Sequence, residues 1–217
     1  MKRMSLLALF LAVVSSIGTA ATAEDLKPIK LPEPQLNIGK PLMEVLKARK
    51  SSRDFSSEMI SSQTLSNLLW AAWGINRSDT EKRTAPSARN RQEIDVYVAT
   101  AAGLFLYEAK TGSLQPILSQ DIRADTGTQD YVKNAPLNLV YVADYSRMTE
   151  KDDTDKLAWS YADAGFIAQN VYLYCASEGL ATVVRALIDR EKLARIMKLR
   201  PEQKITLAQC VGMHQSK

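Results

Sequence analysis

The run Arg49-Lys50-Ser51-Ser52-Arg53 gathers three cations and two hydroxyls into five consecutive positions. A phosphate monoester is recognised by such a set: guanidinium forks give bidentate contacts, an ammonium adds a point charge, and short hydroxyls donate. The run follows the amphipathic stretch Pro41 to Leu46. It therefore also falls where basic residues complement the negative end of a helix. From these five residues alone both readings are open.

Other site types find little material. The sequence has one histidine, His214, and no His, Cys and carboxylate group at zinc-ligand spacing. A Ser-His-Asp or Cys-His nucleophile would rest on that single residue. Neither a Walker loop nor a Gly-x-Gly-x-x-Gly turn is present. Asp152-Asp153 reads as a solvated face or a helix start rather than a catalytic dyad. Cys175 and Cys210 lie in apolar runs and read as two small buried hydrophobes. Side chains alone thus offer little reactive machinery, and a bound cofactor would have to carry any reaction.

The elements that must position these residues follow from periodicity. Three prolines between Lys27 and Lys40 predict an extended arm over residues 24–40, and a helix begins near Pro41. A second helix is capped by Ser61 or Ser62, repeats Leu65, Leu68, Leu69 and Ala72, and ends at Gly74. Residues 77–92 are polar and irregular; Ile94 to Ala99 alternates as a strand, and Leu104 to Tyr107 is a second strand before a turn at 109–112. Leu137 to Ala143 suits a buried strand. The longest helix spans about Asp155 to Ser177 and is nearly apolar all round between Ala164 and Ala176, in a core or against a partner subunit. Gly179 closes it, a short helix covers about 189–199, and Ile205 to Val211 is the last strand. This order is not the strict alternation of a doubly wound sheet. It points to an α+β domain over residues 41–217, with helices packed on a mostly antiparallel sheet.

Residues 1–23 stand apart from that domain. Lys2 and Arg3 precede an apolar run from Leu6 to Val14, and Ala21-Thr22-Ala23 has the form of a signal-peptidase site. The run is shorter than the roughly 20 apolar residues that span a bilayer. A Sec-type leader and an exported protein, periplasmic or secreted, with no membrane span in the mature chain, are expected. Without Lys2 and Arg3 the net charge falls from +4 to +2. That balance gives no reason to expect nucleic acid or an anionic membrane as partner.

Several runs together resemble the flavin-dependent nitroreductase superfamily. They are Arg49-x-Ser51-x-Arg53-x-Phe55, then Leu68-Leu69-Trp70-Ala71-Ala72-Trp73-Gly74-Ile75, then Arg83-Thr84-Ala85-Pro86-Ser87-Ala88-Arg89-Asn90. Downstream stand Ala164-Gly165-x-x-Ala168-Gln169-Asn170, Glu178-Gly179-Leu180-Ala181-Thr182 and Val211-Gly212. The arm Leu31-Pro32-x-Pro34 and the tryptophan-bearing helix look most like the azoline-oxidising (SagB-type) branch. The resemblance implies FMN bound at the interface of a homodimer, with N5 passing hydride between an unknown donor and acceptor. It implies that Arg49, Ser51 and Arg53, with Lys50 alongside, hold the phosphate and ribityl end. Pro86, Ser87 and Ala88 would lie along the isoalloxazine from the partner subunit, and Asn90 would donate to the ring or the ribityl chain. Val184, Arg185 and Ala186 fall where the family places backbone N–H groups near N5 and O4.

Two departures qualify that picture. The family commonly has glycine near position 185, and Arg185 either obstructs the flavin or stabilises its anionic reduced form. A C-terminal basic pair found in many members is missing here, which shifts the phosphate onto Arg49 and Arg53. Export also removes the protein from NAD(P)H, the usual donor. The alternative expectation is a non-catalytic flavin- or anion-binding module on the same fold. A lid over the flavin would come from residues 119–135 or 146–156.

Overall fold

The computed structural model describes residues 26–215, so the leader read from residues 1–23 lies outside it. Nine strands and four helices are formed: β1 (Ile29–Lys30), α1 (Leu42–Ala48), α2 (Ser62–Trp73), β2 (Ile75–Arg77), β3 (Lys82–Arg83), β4 (Ile94–Thr100), β5 (Gly103–Glu108), β6 (Ser113–Leu118), β7 (Leu137–Asp144), α3 (Asp153–Glu178), β8 (Ala181–Arg185), α4 (Arg190–Ile196) and β9 (Gln203–Gly212). Seven strands make one sheet in the order β1-β6-β5-β4-β7-β9-β8, and β2 with β3 forms a separate hairpin. Every pairing is antiparallel.

The sheet is covered on both faces, which is why β7 is buried along its whole length and reads as an unbroken apolar run. Alternation sorts the side chains. Val96, Val98, Phe105, Leu139 and Tyr141 pack under α2 and α3 with Leu68, Leu69, Ile167 and Val171. Tyr97, Ala99, Leu104, Val140 and Val142 face the other way, against Ile188, Leu193 and Met197 of the α4 region. A smaller cluster joins Phe55 to Val132, Ala135, Ala181, Val183 and Cys210.

The helix boundaries follow their caps. Ser61 Oγ accepts from the Thr64 N–H at 3.1 Å, and Asp152 caps α3 by accepting from the Thr154 N–H at 2.8 Å. Gly179 leaves α3 in the left-handed region at φ 73°, and the Leu180 N–H closes onto the Cys175 carbonyl at 2.8 Å. With 26 residues α3 is roughly 39 Å long. It is less enclosed than its composition suggests: Ile167, Val171 and Cys175 are buried, but Phe166 is 48 % exposed. Four parts of the sheet system exceed the sequence expectation: β1, the β2–β3 hairpin, β6 and β8.

Candidate functional site

Helix α1 ends because Arg49 turns to extended backbone (φ −55°, ψ 125°). From there the chain runs alongside the last strands. The Ser52 N–H donates to the Thr182 carbonyl at 2.9 Å, the Ser56 N–H to the Met213 carbonyl at 3.0 Å, and Phe55 bridges to His214. Buried Phe55 anchors the run by its side chain. The cations are thereby presented by a fixed segment instead of a frayed helix end.

Tyr172 of α3 is the hub of this end. Its hydroxyl lies 2.7 Å from Ser51 Oγ and accepts from the Val184 N–H at 3.0 Å, while the Arg49 guanidinium stands 5.2 Å from its ring centroid. The Arg49–Ser51 run and Val184, distant in sequence, are thus brought together. Beside them is a cavity of about 200 Å³ lined by Lys50, Tyr172, Cys175, Gly179, Thr182 and His214. His214 Nδ1 lies 3.4 Å from Ser52 Oγ, and Arg53 is exposed. The donors suit a phosphate: the Lys50 ammonium, the Tyr172 and Thr182 hydroxyls and the His214 imidazole line the small space, with the Arg49 guanidinium on the Tyr172 ring next to it. The space is too small for a whole flavin mononucleotide, since pockets for such ligands run from about 300 Å³ upward.

The second group of candidates sits elsewhere. Pro86 and Asn90 are exposed, Ser87 and Ala88 half-buried. Arg89, Asn90 and Gln92 all adopt positive φ (52°, 54° and 51°), a conformation that costs about 1 kcal/mol or more for each residue other than glycine. Surrounding bonds hold this shape. The Ala88 N–H donates to Asp163 Oδ2 at 2.8 Å, the Gln92 N–H to Ser87 Oγ at 3.0 Å, and Gln92 Nε2 to Asn90 Oδ1 at 3.2 Å. Arg91 is bound to Glu150 at 2.6 Å, and the guanidiniums of Arg89 and Arg91 stand 5.5 and 5.3 Å from the Trp159 ring. Asp163 and Tyr172 are nine residues apart on α3, about 14 Å of helix. Within one chain the cation run and the 86–90 segment therefore occupy separate stations along α3.

Beneath the 86–90 segment lies a buried carboxyl pair. Glu93 is fully buried, and neither of its oxygens has a well-formed hydrogen bond among the described residues. Burial, and then the carboxyl of Asp163 buried beside it, raises its pKa to about 7.

Arg185 departs most from expectation. It is neither a solvated strand end nor a side chain free to meet a ligand, being only 5 % exposed. Its Nη2 donates to Thr126 Oγ1 at 2.8 Å and Asn138 Oδ1 at 2.7 Å, its Nη1 to the Thr126 carbonyl, and its Nε to Cys210 Sγ at 3.4 Å. These partners are neutral, so the charge is solvated by dipoles. The guanidinium turns into the protein. The amide of Val184 is likewise engaged by Tyr172, whereas Ala186 is exposed just past the end of β8. Burial pushes the thiols of Cys175 and Cys210 up, so neither offers a ready thiolate.

The segments expected to form a lid are tied down. Arg185 holds Thr126, Lys192 pairs with Asp125 at 2.6 Å, and the Thr128 N–H reaches the Leu187 carbonyl. Residues 146–156 are held by Arg147 on Asp95 and Glu150 on Arg91, both at 2.6 Å. Tyr172, Asp163 and Glu93 escaped the sequence reading. The one signal for Tyr172 is a hydroxyl in an apolar helix, which demands a partner.

This fold and this arrangement define a class. The chain belongs to the Nitroreductase family, whose model matches residues 46–213, and it is a nitroreductase-type oxidoreductase. A protein of Methanocaldococcus jannaschii described as a nitroreductase is 29 % identical over 170 residues, spanning 73 % of this chain and 85 % of its own. A solved structure from Ralstonia eutropha, also described as a nitroreductase, shares 42 % identity with a TM-score of 0.85, covering 96 % of this chain and 97 % of that one. The NADPH:FMN oxidoreductase of Vibrio harveyi, solved with NAD+, has a TM-score of 0.61 at 20 % identity, over 81 % of this chain and 69 % of that one. The last likeness is one of fold.

Proposed function

We propose that the protein is an FMN-dependent oxidoreductase that works as a homodimer, exported behind the leader of residues 1–23 and related to the azoline-oxidising branch of its family. The observation that carries this reading is the Tyr172 hub, which places Arg49 and Ser51 beside the Lys50–His214 cavity. Arg49, Lys50, Ser51 and Arg53 would hold the phosphate. The cavity admits no more than that end, so the ring needs a second surface, and the exposed apolar residues Leu42, Met43 and Leu46 of α1 with Phe166 of α3 offer one to another copy. Pro86, Ser87, Ala88 and Asn90 would then reach the ring from the partner, consistent with their separation from the cation run in one chain. When bound, the flavin supplies hydride transfer at N5. The protein's part is to anchor the phosphate, fix the 86–90 backbone and exclude water. The donor and the acceptor are small molecules set by the surfaces around the ring.

Purified protein should be yellow and release FMN on denaturation. Replacing Arg49 and Arg53 together by Ala should leave a folded dimer that no longer retains FMN. A colourless wild type that cannot be reconstituted overturns the reading, and a yellow double variant overturns the phosphate assignment. A second reading, flavin binding without turnover, draws on one observation: the Val184 amide is already spent on Tyr172 and is not free to donate near N5. Bound flavin that dithionite reduces but no acceptor reoxidises would favour it.

A further inference from the structure

Two carboxyls packed together inside a protein cannot both ionise without a cation or donors to absorb the charge. Glu93 and Asp163 are such a pair, Glu93 at the start of β4 and Asp163 on α3, both buried. Their roles differ. Asp163 Oδ2 accepts the Ala88 N–H at 2.8 Å and must stay an acceptor, while at Glu93 burial outweighs the backbone contact that favours its charged form. We propose that Glu93 and Asp163 share a single proton and act as positioning residues, the shared proton keeping the 87–92 segment in the shape that receives a ligand. The ligand side of this proposal rests on the FMN reading above; the proton sharing does not.

The charged groups around the pair compensate it only in part. Arg147, from the turn after β7, faces Glu93 but is committed to Asp95 at 2.6 Å and to the Gln92 carbonyl at 2.8 Å. Arg83, next to the segment, binds Gln92 Oε1 at 2.8 Å, and Arg91 is paired with Glu150. Asp95 and Asp144 bring only further negative charge, shared with Arg147 and Arg200. When the proton leaves to solvent, two carboxylates face each other, and Arg147, the cation that acts on Glu93, is already shared with Asp95. Asp163 then relieves the repulsion by withdrawing or admitting water, and the Ala88 N–H loses its acceptor. Three left-handed residues, Arg89, Asn90 and Gln92, depend on that anchorage. The raised pKa of Glu93, about 7, places the transition near neutral pH.

Amide hydrogen exchange of the ligand-free protein tests this directly. After correction for intrinsic rates, protection at residues 88–92 should fall about tenfold or more between pH 6 and pH 8 in the wild type. Glu93→Gln, which mimics the protonated acid, should keep the low-pH protection throughout. A flat wild-type profile, or an equal fall in Glu93→Gln, overturns the proposal. If Glu93→Gln does not fold, Asp163→Asn keeps an acceptor for Ala88 and removes the like charge. Its transition must then move to lower pH, and an unmoved midpoint also overturns the proposal. A parallel titration measures the Kd for FMN, which should weaken over the same pH range in the wild type only. FMN that binds equally at both pH values defeats the positioning role. An exchange transition in a protein that never binds FMN supports the proton sharing while sinking the cofactor reading.

Discussion

A fully buried acid such as Glu93 makes stability depend on pH in a definite direction. Burial, then the neighbouring Asp163, raises its pKa from 4.5 to about 7 in the folded protein. Between those values the native state holds a proton that the unfolded chain has released. The stabilisation is complete below about pH 4.5 and is lost as pH climbs to 7 and beyond, on the order of 3 kcal/mol in all. Denaturant melts at pH 5 and pH 8 should show the wild type weaker at pH 8, with most of the difference gone in Glu93→Gln. Asp144 works in a separate range. Burial opposes its ionisation, but bonds from Ser146 and the charges of Arg147 and Arg200 win and hold its carboxyl below the usual value. Its share is present above the ordinary carboxylate range and fades only as pH falls through its lowered folded value. At this scale the sequence was legible where charge is clustered, as at Arg49 and Ser51. It was opaque where the partner is set by packing alone, as for Tyr172 in an apolar helix and for Glu93, one charge among several at the start of β4.

Among the elements, β8 has the most to explain. It is short, and its last residue sends a guanidinium through the interior to Thr126 and Asn138, pinning the 123–127 turn to the sheet. The geometry leaves no room at the turn: a Cβ on Gly127 would lie 2.4 Å from Arg185 Nη1. Gly127→Ala should therefore cost about 1–3 kcal/mol, and much less in an Arg185→Met background. Equal costs in both backgrounds, measured by urea unfolding of the four proteins of the cycle, would refute the steric coupling. Strands β6 and β8 escaped the sequence reading for physical reasons. Pro116 and Gln115 break the apolar alternation of β6, and β8 offers five residues straight after a helix cap, too few to display a period. Periodic α2 and the long apolar α3, with capping residues at both ends, were found with boundaries close to those observed.

For the molecule as a whole, the question is what covers α1. Leu42 is 61 % and Met43 75 % exposed, and Leu46 and Phe166 are open as well. On the proposed homodimer and its flavin, Leu46→Asp should shift the protein from dimer to monomer in light scattering and weaken FMN retention about tenfold or more. A dimer of unchanged stability would place the interface elsewhere. The alternating core of β4 and β7, and with it the α+β class, could be read from the chain. The division of the candidate site into two stations on α3 could not, because only packing sets which residues share a helix end.

The flanks of the main sheet carry a consequence of their own. The edge strand β8, and β6 where the two-residue β1 leaves it uncovered, each have a rim of backbone groups that could recruit a foreign strand. On one rim, β1 pairs with Ser113 and Leu114, and Pro116 interrupts the remainder with a residue that has no N–H to offer. On the other, the Ser52 N–H is bonded to the Thr182 carbonyl of β8, so the cation-bearing segment doubles as a guard rail. Loosening that segment therefore risks more than a ligand: it bares a strand to its neighbours, and self-association would follow from a lesion that looks purely functional.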